Sequence, residues 1–587
     1  MRNLRAEPIR DQLRLTALGV FLALCGVGLF ARAAYMQVAT RDFYQDQGDA
    51  RFLREVPIAA TRGDIVDRNG EPLAISTPMV SLWVHPKSLA AAPERIPELA
   101  ALLKLDTKDL TQQITERADR EFMYLRRRMP PDVADAVLEK GIPGVNGMRE
   151  FRRFYPSGEV FAHVVGTTNV DDRGQEGLER LYDTWLLGVP GSKRVIRDRL
   201  GRVVESIEEL RAAKPGSTLQ LSLDRRIQYL AHRELKAAIF EHSASSGSMV
   251  ILDVPTGEVL AMANYPSFNP NAVEPDQAVR RNRAVTDLFE PGSVVKAFTV
   301  SAGLESGKFK VDTLIDTHPG TLMVANHLVR DVRDFGIIDP TRLLTKSSNV
   351  AATKIALELD NAHLVDMFAR FGFGQATGSQ FPGEVSGYLP AAEGLGLVEK
   401  ATLSYGYGLS VNALQLAQSY AALANQGRFR PATFIHRGNE QVAERAILDP
   451  EIASQVLGML ETVTGPGGSG IKAVVPNYRV AGKTGTAKRA VRGGYEKSYV
   501  SVFAGIVPVS HPRLAAVVVI NDPRGQAYYG GQVAAPVFGR VMDDALRLLN
   551  VPPDNLDAQQ MARNSHPPGV SEEALAVNTD FAEGVAP

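Results

Sequence analysis

Between Leu15 and Ala31 the chain carries an uncharged, almost wholly apolar run, preceded by Arg2, Arg5, Arg10 and Arg14. No other stretch of the 587 residues is long and apolar enough to cross a bilayer. The run sits at the short end of a spanning helix, which takes roughly 17–25 residues. Arg32 interrupts it, but Ala33, Ala34, Tyr35, Met36 and Val38 can prolong the helix while the guanidinium snorkels to the interface. Basic residues before the run predict a cytoplasmic N-terminus and an exported remainder. Ala31-Arg32-Ala33 also fits a cleavage pattern, so a removed signal peptide is the competing reading. The run is longer than the usual apolar region of about 7–15 residues in such peptides. In either case the bulk of the chain is exported and folds in water on its own cores. Cys25, the only cysteine, lies inside the run, so no intramolecular disulfide helps. With 44% apolar residues, the two to four domains expected at this length can be held by burial alone. Sixty-five basic against 66 acidic side chains leave no electrostatic footprint for nucleic acid.

The texture of the chain changes near residue 216. Before it, Arg62-Gly63-Asp64 to Asp67-Arg68-Asn69-Gly70 reads as a strand ending in an Asn-Gly hairpin turn. Helical spacing follows at Leu99, Leu102, Leu103 and at Val133, Ala136, Val137, broken by Pro130-Pro131. After it, Asp224 is a predicted N-cap for a helix from Arg225 to Phe240. Ser248–Asp253 and Val259–Ala263, joined by Pro255-Thr256-Gly257-Glu258, read as a β-hairpin. Tyr499–Val507 and Leu514–Ile520 read as strands, and Ala535–Leu549 as a helix. This alternation predicts a sheet covered by helices. Beyond Val551 periodicity is lost, and the tail is expected to be disordered.

Nucleophile–base strings are few. Two S-x-x-K strings occur, Ser293-Val294-Val295-Lys296 and Ser469-Gly470-Ile471-Lys472, and S-x-N occurs at Ser267, Ser347 and Ser410. K-T-G occurs once, at Lys483-Thr484-Gly485, followed by Thr486. Context separates the candidates. Ser293 follows Glu290-Pro291-Gly292 and opens an apolar run to Leu304, which suits a turn feeding a helix. There the serine sits beside unpaired backbone N–H groups, and Lys296 projects from the same face. Ser469 lies among Gly467, Gly468 and Gly470, in a loop not expected to fix its lysine. Ser347-Ser348-Asn349 precedes a helical pattern, whereas Ser267 sits in loop and Ser410 caps a helix; capping is also the bland reading of Ser347 and Asn349. Tyr478 to Gly482 reads as a strand-like approach to Lys483.

A serine hydroxyl attacks an amide poorly until a base takes its proton. The ten histidines form no evident triad, so Lys296 is the economical base. A free lysine, with its pKa near 10.4, is neutral in only about one molecule in 2,500 at pH 7. The site must lower that pKa, by burial and by the nearby cation Lys483.

Taken in this order, the motifs resemble the acyl-serine transpeptidases. Phe289-Glu290-Pro291-Gly292-Ser293, Lys346-Ser347-Ser348-Asn349-Val350, Tyr405-Gly406-Tyr407-Gly408, Lys483-Thr484-Gly485-Thr486-Ala487 and Tyr529-Gly530-Gly531 resemble the division-specific class B penicillin-binding proteins. Arg62-Gly63 with Asp67-Arg68-Asn69-Gly70, and Arg152-Arg153-Phe154-Tyr155-Pro156, resemble that branch's non-catalytic pedestal. The resemblance implies an α+β chain with a short cytoplasmic tail (1–14), a single transmembrane helix (15–38) and a mixed, dimerisation-like pedestal (39–215). A transpeptidase domain (216–552) follows, β-lactamase-like, with a five-stranded antiparallel sheet between helices, and then the tail (553–587). It places the protein in a bacterial inner membrane with its catalytic domain in the periplasm. Ser293 is then expected to attack the D-Ala-D-Ala stem peptide of peptidoglycan during septal wall synthesis and to be acylated by β-lactams. Lys296 activates it, Ser347 relays a proton and Asn349 hydrogen-bonds the donor peptide. Lys483, Thr484, Gly485 and Thr486 grip the terminal carboxylate. Backbone N–H groups of Ser293 and Thr486 form the oxyanion hole, and Tyr407, Tyr499 and Tyr529 line the cleft. No cofactor or metal is implied. The partners implied are a polytopic glycan polymerase and other division proteins.

Two departures bear on chemistry. Position 348 is Ser where β-lactamases of the S-D-N type have Asp, and no Glu with Asn four residues later lies between Asn349 and Lys483. Both favour transfer to an amine over hydrolysis. A hydrolase, a penicillin-binding sensor and a silent division scaffold are the competing readings. Asn349 and Glu290-Pro291 favour division over elongation, and no glycosyltransferase motif is present.

Overall fold

A computed structural model describes residues 7–39, 41, 53–197, 203–272, 277–438, 440, 442–491 and 494–556. A helix α1 (Glu7–Ala34) runs on into a wider turn at Tyr35–Ala39. Its apolar span from Gln12 to Val38 has mean hydropathy 2.0, and none of it is buried against protein. Leu29 and Phe30 are more than 70% exposed, which in water would be costly and in lipid is not.

The chain divides into two compact units. The first comprises Met1–Arg62, Thr77–Arg152 and Gly188–Gly216. In it, Leu53–Ile58, Gly191–Arg197 and Val203–Arg211 form an antiparallel sheet. A separate core of Leu82, Leu99, Leu103, Leu110, Met123 and Val137 joins the helices Ile96–Leu103, Thr107–Glu116 and Pro131–Leu138. The expected helical spacing around Leu99 and Val133 is observed. Met123–Met129 between them is a strand; its Arg126-Arg127-Arg128 centre carries no apolar alternation to announce it.

The second unit takes in Ser217–Pro587 together with Gly63–Ser76 and Arg153–Leu187. The hairpin expected at Asp67–Gly70 is present: Ile65 pairs with Ala74 and Val66 with Pro72, and only Gly70 in the turn has positive φ, +86°. Ile65, Leu73, Tyr155 and Phe161 join the same core as Val250 and Val517.

That unit is organised by a five-stranded sheet. Its strands are β1 (Ser246–Asp253), β2 (Val259–Tyr265), β3 (Ala481–Val491), β4 (Gly494–Val507) and β5 (Leu514–Asn521). They lie in the order β2-β1-β5-β4-β3, with every neighbour antiparallel. Strand alternation sends Val250, Leu252, Val517 and Val519 to one face, and Met249, Ile251, Val518 and Ile520 to the other. The second face is covered by α2 (Arg225–Glu241), capped by the predicted Asp224, and by α7 (Ala535–Leu548). The first is covered by α3 (Lys296–Glu305), α5 (Ala413–Ala424) and α6 (Pro450–Thr464). The helix Pro340–Lys346 and α4 (Asn349–Glu358), separated only by Ser347 and Ser348, also pack beside α3. Past α7 the chain stays attached as far as residue 555, for Asp554 accepts from the Arg479 and Ser510 N–H groups and Asn555 donates to the Asn477 carbonyl. The tail expected to be disordered lies, from residue 557, outside the described residues.

Candidate active site

Three loop-to-element junctions meet at the free edge of β3. The first is a 3₁₀ turn, Gly292–Val295, that carries Ser293 and leads into α3, whose first residue is Lys296. Tyr420 of α5, fully buried, pins this turn by donating to the Val294 carbonyl at 2.8 Å. Gly406 of the Tyr-Gly-Tyr-Gly stretch accepts from the Gly292 N–H at 3.1 Å. The turn packs against β3. A β-carbon at Gly485 would stand 2.7 Å from the Pro291 carbonyl oxygen, so only glycine lets the strand approach this closely.

The second junction is the break between the helix Pro340–Lys346 and α4. Ser347 caps the first helix in the left-handed region (φ 61°, ψ 41°), a conformation that costs a non-glycine residue about 1–2 kcal/mol. The turn brings both its carbonyl and its hydroxyl to the two lysines. Lys296 Nζ donates to the Ser347 carbonyl at 2.6 Å and to Asn349 Oδ1 at 2.6 Å, and lies 3.3 Å from Ser347 Oγ. Lys483 Nζ, from the third junction, donates to the same Ser347 Oγ at 2.9 Å. Lys483 and Thr484 lie inside β3, with Lys483 opposite Ala504 and Thr486 opposite Ser501. The strand begins at Ala481; Tyr478–Val480, expected as its approach, precede it.

Electrostatics follow from this burial. Lys296 and Lys483 are both 0% exposed. Desolvation and the neighbouring Lys483 cation hold Lys296 well below the ordinary lysine range, against an opposing pull from Asp331. Desolvation brings Lys483 down to about 7. A neutral Lys296 has two N–H donors and one lone pair. The Ser347 carbonyl and Asn349 Oδ1 take the donors, which leaves the lone pair to accept a proton.

Asp331 is the group the sequence reading missed. Its carboxylate accepts from the Ser348 hydroxyl at 2.6 Å, the Asn349 N–H at 2.5 Å and the Val350 N–H at 3.1 Å. An anion thus occupies the N-terminus of α4, where unpaired donors and the helix dipole favour it. Ser348 in turn caps Ala351 N–H. Asp331 lies 18 residues before Asn349, just past the short strand His327–Arg330 and with no motif around it, so only the fold could disclose it.

The aromatic residues fall in two groups. Tyr407 packs edge-on to Tyr405 and Tyr495, and Tyr495 donates to Glu290 Oε1 at 3.2 Å; burial pushes the Tyr407 phenol up. Tyr499 and Tyr529 do not touch directly: Tyr528 stacks between them, at 4.3 and 4.5 Å. The Tyr528-Tyr529 pair was visible in the sequence, but not which ring would bridge. Tyr499 lines a cavity that also includes Glu290 and Lys488. Among the described residues no cluster of His, Cys, Asp and Glu could hold a metal ion.

Comparison with known proteins agrees with this architecture. Residues 247–543 match the penicillin-binding protein transpeptidase domain, and residues 57–221 the penicillin-binding protein dimerisation domain. The chain is 42% identical to the peptidoglycan D,D-transpeptidase FtsI of Escherichia coli strain K12, over 91% of this chain and 93% of that one. It is 40% identical to the probable peptidoglycan D,D-transpeptidase PbpC of Pseudomonas aeruginosa, over 95% and 99%. The crystal structure of penicillin-binding protein 3 from Mycobacterium tuberculosis, complexed with aztreonam, superposes with a TM-score of 0.65 at 28% identity, over 85% of this chain and 98% of that one.

Proposed function

The chain belongs to the penicillin-binding protein transpeptidases, and from that premise we propose how its residues carry out the reaction. It is a peptidoglycan D,D-transpeptidase of septal wall synthesis and a β-lactam target. Ser293 is the nucleophile. Its hydroxyl proton passes to the lone pair of Lys296 as Oγ attacks the carbonyl of the penultimate D-alanine. The N–H groups of Ser293 and Thr486 stabilise the oxyanion. The Ser347 hydroxyl, within reach of both lysines, relays a proton to the departing D-alanine amine. An amine of a neighbouring stem then attacks the acyl carbon, Lys296 takes its proton, the Ser293 Oγ–acyl bond breaks, and that proton returns to Oγ. The single observation that carries this reading is the buried Lys296 amine held between Ser347 and Asn349, with a second buried lysine on the same serine.

The two lysines divide the work. Lys483, Thr484 and Thr486 grip the substrate carboxylate, with Gly485 allowing the strand's close approach. An arriving anion favours the charged form of Lys483, and that charge in turn disfavours a proton on Lys296. Substrate binding therefore keeps the base neutral when it is needed. Asn349 orients the donor peptide, and Tyr407, Tyr499 and Tyr529 flank it. A fluorescent penicillin tests the assignment: covalent labelling is expected in wild type and lost in Ser293→Ala, and persistent labelling of that variant overturns it.

One N-terminal helix anchors the protein in the inner membrane. Arg2, Arg5, Arg10 and Arg14 support a cytoplasmic N-terminus and a periplasmic catalytic domain. The proposed domain plan is an anchor, a pedestal to residue 215 and a transpeptidase domain to 552, with Gly63–Ser76 and Arg153–Leu187 of the pedestal segment packing in the same unit as the transpeptidase core. The proposed partners are a polytopic glycan polymerase and other division proteins.

A further inference from the structure

Ser469, read in the sequence as part of an idle glycine loop, stands at the carboxylate-gripping edge of β3. Its hydroxyl lies 2.8 Å from the Thr484 hydroxyl. The loop is fixed by its backbone: Gly468 N–H donates to the Gly465 carbonyl at 3.0 Å and Gly470 N–H to the Val463 carbonyl at 2.9 Å. Lys346 Nζ donates to the Gly467 carbonyl at 2.7 Å. On its other side the loop presses on Gly531, where a β-carbon would stand 2.1 Å from the Ser469 carbonyl oxygen. Loop, strand and the Gly530–Gly531 turn therefore form one packed edge. Lys472, the lysine of the same S-x-x-K string, lines a different cavity with Glu241, His242 and Arg540. The string is not a second nucleophile–base pair.

A hydroxyl has one proton, and it can offer that proton to an anion only if no other acceptor takes it. Thr486 meets the condition, because the Gly530 N–H donates to its Oγ1 at 3.0 Å and occupies an acceptor position. Thr484 has Ser469 as its hydroxyl partner. With Ser469 as donor, the Thr484 proton is free for an incoming carboxylate, and the chain of hydroxyls polarises toward the anion. With Thr484 as donor, an oxygen lone pair would face the anion instead. We propose that Ser469 is a positioning residue that orients Thr484 as a donor to the carboxylate of stem peptide or β-lactam. It sets the affinity of the complex that precedes acylation, and not the rate of acylation itself. This rests on the reading of Thr484 and Thr486 as the carboxylate grip.

The test uses full-length, detergent-solubilised wild type, Ser469→Ala and Ser469→Thr, acylated by benzylpenicillin under rapid mixing. The dissociation constant of the pre-covalent complex and the first-order acylation constant are resolved separately. Ser469→Ala is expected to raise the dissociation constant about 3–10-fold, the scale of one net hydrogen bond, and to leave the acylation constant within about twofold. Ser469→Thr, which keeps a hydroxyl, returns to within about twofold of wild type. The neutral methyl ester of the same penicillin shows no loss in Ser469→Ala. An unchanged dissociation constant for the acid, an equal loss for acid and ester, or a loss confined to the acylation constant overturns the proposal. Intact-mass measurement of wild type and Ser293→Ala after acylation tests the underlying site separately. Adduct on Ser293→Ala sinks the site, whereas adduct on Ser293 with unaltered affinity in Ser469→Ala sinks only the role of Ser469.

Discussion

Replacing Asp331 by Asn removes a charge that the catalytic cleft uses twice. As a carboxylate it accepts three hydrogen bonds at the start of α4, from the Ser348 hydroxyl and the Asn349 and Val350 N–H groups. Asn keeps one acceptor oxygen and turns an NH₂ toward donors. Hydrogen bonds to a charged group contribute about 1.5–3 kcal/mol each, and a helix N-terminus adds about 0.3–1 kcal/mol for the anion. One full bond and the charge are lost, so a destabilisation of about 3 kcal/mol is expected. That lowers the Tm of the catalytic unit by roughly 3–4 °C, since a unit of this size unfolds with a large entropy. The second use is electrostatic. Asp331 is the group that opposes the depression of Lys296, so its loss moves the Lys296 pKa further down. The acidic limb of the acylation rate against pH, which reports deprotonation of the base, therefore shifts to lower pH. At pH 7.5 the rate itself falls, because Asn349 and Ser347 lose the anchor that holds them to Lys296; about 2 kcal/mol of misplacement corresponds to roughly 30-fold. Fluorescent-penicillin acylation between pH 5.5 and 9, with melting curves on the same samples, measures both. A limb that moves to higher pH, or an unchanged Tm, refutes the role assigned to Asp331.

Further outcomes follow from the same geometry. Lys296→Ala is expected to abolish acylation, at least about 10³-fold, while the fold persists with a lowered Tm, since the Ser347 carbonyl and Asn349 Oδ1 lose their donor and a cavity opens; acylation at the wild-type rate would remove Lys296 as base. Lys483 has a native pKa near 7 against an ordinary 10.5, so between those values the unfolded chain holds a proton the native one lacks. Stability contributed by this group therefore rises with pH from about 7 toward 10, by about 5 kcal/mol at most, and Lys483→Met flattens that slope in denaturant titrations. Carboxylate-bearing inhibitors bind more weakly as pH rises through about 7, because the gripping cation is lost; a flat affinity across that range counts against Lys483. Gly485→Ala places a β-carbon 2.7 Å from the Pro291 carbonyl oxygen and is expected to cut acylation by about 100-fold or more, read by the same labelling assay.

The catalytic unit was legible where a local pattern states its own period. The short continuous apolar run Leu514–Ile520 and the punctuation at Pro255–Glu258 announce a buried strand and a hairpin without help from the rest of the chain. Asp224 before an apolar stripe announces a helix. Met123–Met129 was not legible, since three successive arginines leave its pairing with the strand Pro72–Val84 as the only reason it is extended. Nor could a linear reading assign residues 63–76 and 153–187, because their apolar residues complete a core built mostly from positions beyond 217.

The site divides along the same line. Ser293, Lys296, Ser347, Asn349 and Lys483 belong to short strings that can be searched for, and the helical or strand pattern beside each string picks it out from its chance repeats. What lowers the amines is burial, and what orients Asn349 is a carboxylate 18 residues away, and neither leaves a string. Ser469 shows the converse. Its S-x-x-K string is complete, yet the structure sends its serine to Thr484 and its lysine to another cavity. A motif specifies which atoms a reaction needs; whether they meet depends on glycines such as Gly485, whose missing β-carbon allows β3 to close on the turn bearing Ser293. Convergence of three chain segments on one serine hydroxyl is thus a property of packing: burial, not spacing, brings the amines of Lys296 and Lys483 to Ser347 Oγ.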